Sequence, residues 1–120
     1  MPMKVLFILR QAPGNLLLHK KVTDLLSLIA KEQTLEDSAV FFTDDAVSIS
    51  SKGIGQLPEH KEIQEAYLKV SLENSISLFV CGRAFKEKGL EKEQVQEGFL
   101  LSGNFELTTY IATADKVIEF

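Results

Sequence analysis

The chain has 120 residues, 45% hydrophobic and 25% charged, the size and balance of one ordinary globular domain with a real core. Thirteen Lys plus Arg against seventeen Asp plus Glu leave a net charge of -4, and with no basic block direct binding to a nucleic-acid backbone is disfavoured. One cysteine allows no internal disulfide, and no stretch approaches the ~20 apolar residues that span a bilayer.

At the N-terminus the apolar run Lys4 to Leu9 reads as a strand covered on both faces. Arg10 cuts that run too early for a signal peptide, so a single cytoplasmic domain over residues 1–120 is expected. Pro13-Gly14 marks a loop, and Asn15 is a plausible N-cap for a helix from about Leu16 to Lys31. Leu18, Val22, Leu25, Leu26 and Ile29 recur at three- and four-residue spacings and form its apolar face. Ser38 to Phe42 is the second strand. The polar segment Thr43 to Leu57 reads as a long loop, of the kind that serves as a lid or contact surface.

A second helix starts near Pro58, which suits a first helical turn, with Ile63, Ala66, Tyr67 and Val70 inward. Ser77 to Val80 is the third strand, and Arg83 to Lys88 a short helix stopped by Gly89. Leu90 to Glu97 is a helical turn plus connector. Phe99 to Leu101 makes a fourth strand. Ser102-Gly103-Asn104 opens a last helix with Leu107, Tyr110 and Ile111 inward, and Lys116 to Phe120 is the final strand.

Five alternations of strand and helix call for an α/β fold of three layers, a five-stranded, mostly parallel sheet with helices on both faces. The flavodoxin-like order 2-1-3-4-5 is the first expectation. It would make strands 1 and 3 neighbours at the switch point, with the loop Arg10 to Asn15 beside Cys81 and Ser102-Gly103 on its other side.

Cys81 sits at a strand-to-helix junction, next to Gly82, which permits a tight turn, and two residues before Arg83. A helix start and a nearby cation both favour the thiolate, the reactive form of the side chain. The competing reading is an inert packed thiol, since free cysteine is among the most buried residue types. His19 and His60 fall on the charged sides of their helices and are expected to be exposed and idle. With one Cys and two separated His there is no metal-ligand spacing. Gly53-Ile54-Gly55 follows no strand, and Pro58 stands where a third glycine would be needed, so it is no dinucleotide fingerprint. Asp44-Asp45 reads as a solvated turn, because adjacent side chains diverge.

Cys81 to Gly89 (Cys-Gly-Arg-Ala-Phe-Lys-Glu-Lys-Gly), Gln96 to Gly103, the ending Ala114 to Phe120 and Phe41-Phe42 followed by Ala46-Val47 together carry a resemblance. The chain resembles the DsrE/TusD sulfur-relay family over nearly its whole length, most closely the TusD branch. The loops Arg10 to Asn15 and Thr43 to Asp45 depart from that pattern.

The resemblance implies a DsrE-like fold and a persulfide carried on Cys81. Gly82, Arg83, Gln11, Gly14, Asn15, Ser102 and Gly103 would support the anion and form the pocket. It further implies a homo- or hetero-oligomer, a trimer or hexamer with paralogues, and a persulfide donor and a thiol acceptor protein. The pathways implied are tRNA 2-thiouridine synthesis or sulfur oxidation. No cofactor and no metal are expected. Two other readings stand beside this one: a structural subunit with a packed Cys81, and a nucleotide- or flavin-binding module in the same crevice.

Overall fold

A computed structural model describes residues 2–120, apart from the side chains of Gly55 and Gln56. The parallel sheet consists of β1 (Val5–Leu9), β2 (Ala39–Phe42), β3 (Ser77–Cys81), β4 (Phe99–Ser102) and β5 (Lys116–Glu119). Helices α1 (Leu16–Glu32), α2 (Pro58–Asn74), α3 (Gly82–Glu87) and α4 (Asn104–Thr113) connect them. Asn15 caps α1, its Oδ1 accepting the Leu18 N–H at 3.4 Å. Ser75, at φ 54° in the left-handed region, ends α2. A short parallel pair, Pro2–Met3 with Thr34–Leu35, stands apart from the main sheet.

The sheet order is β4-β3-β2-β1-β5, which corrects the expected 2-1-3-4-5. From β1 to β4 the chain steps to the next strand in one direction each time. Right-handed crossovers then place α1, α2 and α3 on one face. That face buries Phe7, Val40, Phe42, Val80 and Phe99 against Val22 and Leu26 of α1, Tyr67 and Val70 of α2, and Phe85 of α3. Only the β4-to-β5 connection runs back, past three strands to the far edge beside β1. Its helix, α4, lies alone on the opposite face, where Leu107 and Tyr110 pack near Leu6, Ile8, Ala39, Phe41 and Phe79. Strands β1 to β4 are apolar on both faces in either order, so their sequences do not distinguish the two topologies.

Three further expectations are corrected. The segment after β2 is not a loose lid: it forms two 3-10 helices, Asp44–Ser50 and Lys52–Gln56, and buries Ala46, Val47, Ile49 and Ile54 in the core. The buried Gln64 side chain pins it, donating to the carbonyls of Ile49 at 2.8 Å and Ser51 at 2.9 Å. Ile111 is not inward but 48% exposed, because α4 touches the sheet along a narrow stripe.

His19 is the third correction. It is 1% exposed, on the inner side of α1. Its Nε2 faces the carbonyls of Gln11 at 2.9 Å and Ala12 at 3.1 Å, which can only accept, so Nε2 carries the proton. Nδ1 accordingly accepts from the Tyr67 hydroxyl at 2.7 Å. The pair ties the Arg10 to Asn15 turn to α2.

Burial lowers the His19 pKa below its ordinary value, against the weaker opposing effect of the two carbonyls. The unfolded chain therefore binds this proton more readily. Stability is complete above the unfolded value near 6.5 and falls as pH drops below it, by up to about 1.4 kcal/mol per pH unit until the folded form titrates too. In urea unfolding followed from pH 7.5 to pH 5, His19→Gln is expected to show a smaller loss of stability on acidification than the parent. Equal slopes would mean that His19 titrates alike in both states.

Candidate functional site

The C-terminal ends of the parallel strands all open onto one edge of the domain. At that edge β3 and β4 are neighbours, with Cys81 in register with Ser102. The chain leaves β3 into α3 on one face and leaves β4 into α4 on the other. Divergence of two adjacent connections opens a crevice, the usual ligand position in such sheets. A cleft of about 300 Å³ lies there, lined by Thr43, Asp44, Cys81, Arg83, Ala84, Glu87, Gly103 and Asn104.

Cys81 is half-buried, on the α4 face with Phe79. It is the last residue of β3 and the N-cap of α3, with φ -62° and ψ 110°. The first turns of α3 and α4 both line the cleft, and the α3 start, which no side chain caps, carries unpaired N–H groups of partial positive charge. Gly82 has no left-handed backbone; a Cβ there would meet the Ser102 carbonyl at an ordinary 3.5 Å.

Ionic contacts frame the edge. Arg10 bridges Asp44 at 3.2 Å and Glu119 at 2.9 Å, and those two carboxylates raise its pKa further, Glu119 foremost. Lys88 pairs with Asp45. Asp44 turns its chain at φ 51°, a left-handed conformation that Asp tolerates better than most residues. The Arg83 guanidinium pairs with Glu87 at 3.1 Å and is 85% exposed, so it flanks the cleft from the solvent side.

The α4 start is a capping box, the Glu106 carboxylate accepting the Gly103 N–H at 3.2 Å. The backbone N–H groups of Glu106 and Gly103 hold that carboxyl below its usual range, and the nearby Ser102 hydroxyl adds to this more weakly. Ser102 Oγ is itself buried and has no hydrogen-bond partner.

Of the residues singled out in the sequence, Cys81, Arg83 and Gly103 line the cleft, and Gly82 and Ser102 adjoin it. Gln11, Gly14 and Asn15 are not brought to it. They follow β1, and β2 stands between β1 and β3, about two strand spacings of ~4.8 Å from Cys81. Thr43 and Asp44 occupy the place expected for them, because β2 rather than β1 borders β3. Asn104, Ala84 and Glu87 complete the lining and carried no sequence signal beyond their proximity to Cys81 and Gly103. No group of three or more His, Cys, Asp or Glu among the described residues could hold a metal. No helix among them is long and apolar enough to cross a membrane.

Comparison with known proteins agrees with this architecture. The DsrE/DsrF-like family profile matches residues 3–120. The fold is similar to that of the ychN protein from E. coli, with a TM-score of 0.77 and 21% identity over 98% of this chain and 99% of that one. A protein of unknown function from Methanobacterium thermoautotrophicum, MTH1491, superposes with a TM-score of 0.68 at 14% identity, over 98% and 99% of the two chains. BT1422 of Bacteroides thetaiotaomicron, also of unknown function, gives 0.69 at 12% identity over 98% and 95%. No curated protein matches the sequence at a significant level.

Proposed function

This chain belongs to the DsrE/DsrF-like family, and from that membership we propose that it is a sulfur-relay protein carrying a persulfide on Cys81. The observation that carries this reading is the position of the chain's one cysteine. It is half-exposed at the crevice between β3 and β4, beside two helix starts. In the first step the Cys81 thiolate attacks the outer sulfur of a donor persulfide. The donor's S–S bond breaks, the donor leaves as a thiolate, and Cys81–S–SH forms. An acceptor thiolate then takes the outer sulfur and returns Cys81 as a thiolate. No outside oxidant or reductant is needed, because one S–S bond is exchanged for another. Gly82 and the first α3 amides support the anion, the α4 start being capped by its own Glu106. The resemblance of Cys81 to Gly89 and of the chain's ending to the TusD branch supports a donor–acceptor chain of the tRNA 2-thiouridine or sulfur-oxidation kind.

The test is intact-protein mass spectrometry after incubation with a cysteine desulfurase and cysteine. One added sulfur atom, mapped to Cys81 and removed by reductant, is the expected result. Absence of any added sulfur, with Cys81 slow towards a small alkylating agent, would overturn it in favour of a structural subunit.

The same reading includes an oligomer. Helix α4 has one charged residue, Glu106, among its ten. Around it Leu100 is 56% exposed, Phe105 82% and Val117 42%, an apolar face that one helix leaves uncovered. A second copy of the chain, apolar in the same places, fits such a face without charge complementarity. Sedimentation at micromolar concentration is expected to give a trimer or hexamer, and the double variant Phe105→Glu, Ile111→Glu a folded monomer. A monomeric parent protein would remove this part of the reading.

A further inference from the structure

The Ser102 hydroxyl is a stability liability, since a buried polar group without a partner carries its desolvation cost uncompensated. It lies on β4 in register with Cys81. Partners in register on adjacent parallel strands stand on the same face, with the strands about 4.8 Å apart. The hydroxyl does not hydrogen-bond the bare thiol. A second sulfur on Cys81 would lie about 2 Å further out along the new S–S bond. Local violations of packing and pairing rules tend to collect at functional positions.

We propose that Ser102 Oγ is the hydrogen-bond donor to the outer sulfur of the loaded form, Cys81–S–S⁻, left unpaired in the empty protein and satisfied on loading. The proposal rests on the persulfide-carrier reading and names the residue that recognises the cargo. No atom is transferred by Ser102; its O–H turns toward the sulfur anion. The charged groups around the cleft are Asp44 after β2, Arg83 and Glu87 on α3, and Glu106 on α4. Arg83 is paired with Glu87 and largely exposed, and the other three are carboxylates, which do not donate, so none of these charged groups takes the donor's role; the Ser102 hydroxyl lies near the Glu106 carboxylate but makes no hydrogen bond to it.

The experiment loads Cys81 chemically, independently of any biological donor. An aryl disulfide reagent converts Cys81 to a mixed disulfide, and sulfide displaces the aryl thiolate to leave Cys81–S–SH. Alkylation of loaded and unloaded protein is then followed against pH in the parent, Ser102→Ala and Ser102→Thr.

In Ser102→Ala the midpoint of the loaded profile is expected to move up by about one pH unit, a tenfold change in ionisation. Ser102→Thr, which keeps the hydroxyl, restores it. The unloaded thiol profile stays unchanged, and Tm in Ser102→Ala does not fall. Coincident loaded profiles for Ser102→Ala and the parent would overturn the proposal. So would an equal shift of the unloaded thiol, which marks a structural effect. If chemical loading shows the shift but the desulfurase adds no sulfur, the Ser102 contact stands and the biological carrier reading falls.

Discussion

Cys81→Ser is expected to eliminate sulfur loading while leaving the fold in place. In the proposed relay the thiolate is the nucleophile and the attachment point, and a serine hydroxyl neither ionises near neutral pH nor forms a persulfide. No other cysteine exists in the chain to take its role. The structural cost is small because the side chain is half-buried at the end of β3, anchors no disulfide, and is nearly isosteric with serine. A stability change under about 1 kcal/mol is expected. Loading followed by mass, with urea unfolding of the same sample, checks both halves. Undiminished loading in Cys81→Ser would refute the carrier assignment. Loss of folding would instead make Cys81 a packing residue, as the structural-subunit alternative requires.

Phe42→Ala is expected to have the largest effect on stability, about 3–5 kcal/mol. Phe42 is fully buried at the end of β2, its ring edge-on to Tyr67 at 5.0 Å and to Phe99 at 5.5 Å. It joins α2 to β4 on the helix-covered face of the sheet, so its loss leaves a cavity between them. Tyr67 also holds His19, so the damage extends to the Arg10 to Asn15 turn. Against a domain stability of roughly 5–15 kcal/mol the loss leaves a marginal protein. Urea unfolding should show a large fall in midpoint at unchanged slope. A midpoint within 0.5 M of the parent's would mean that the neighbouring rings close the cavity.

The elements themselves were legible from the residues. Short apolar runs marked the first four strands, spacing of three and four marked α1 and α2, and Asn15 and Pro58 marked where they begin. The junction holding Cys81 was legible for the same reason, a strand signal meeting a helix signal at Gly82. These are local properties, written in periodicity and capping.

Neighbourhood was not local, and only the tertiary structure decided it. Strands apolar on both faces carry no mark of which strand they adjoin, so β2 rather than β1 came to border β3. Gln11, Gly14 and Asn15 were thereby separated from Cys81, and Thr43 and Asp44 took their place. His19 looked exposed because it falls on the charged side of the predicted α1, yet two carbonyls and a tyrosine hydroxyl satisfy its nitrogens inside. The segment after β2 looked like a loop because its serines and glycines are small and polar. Ala46, Val47 and Ile49, spaced among them, were enough to bury it once Gln64 met its carbonyls. The sequence alone thus determined the elements and the strand-to-helix position of Cys81; long-range pairing and burial, which depend on contacts far apart in the chain, determined what surrounds it.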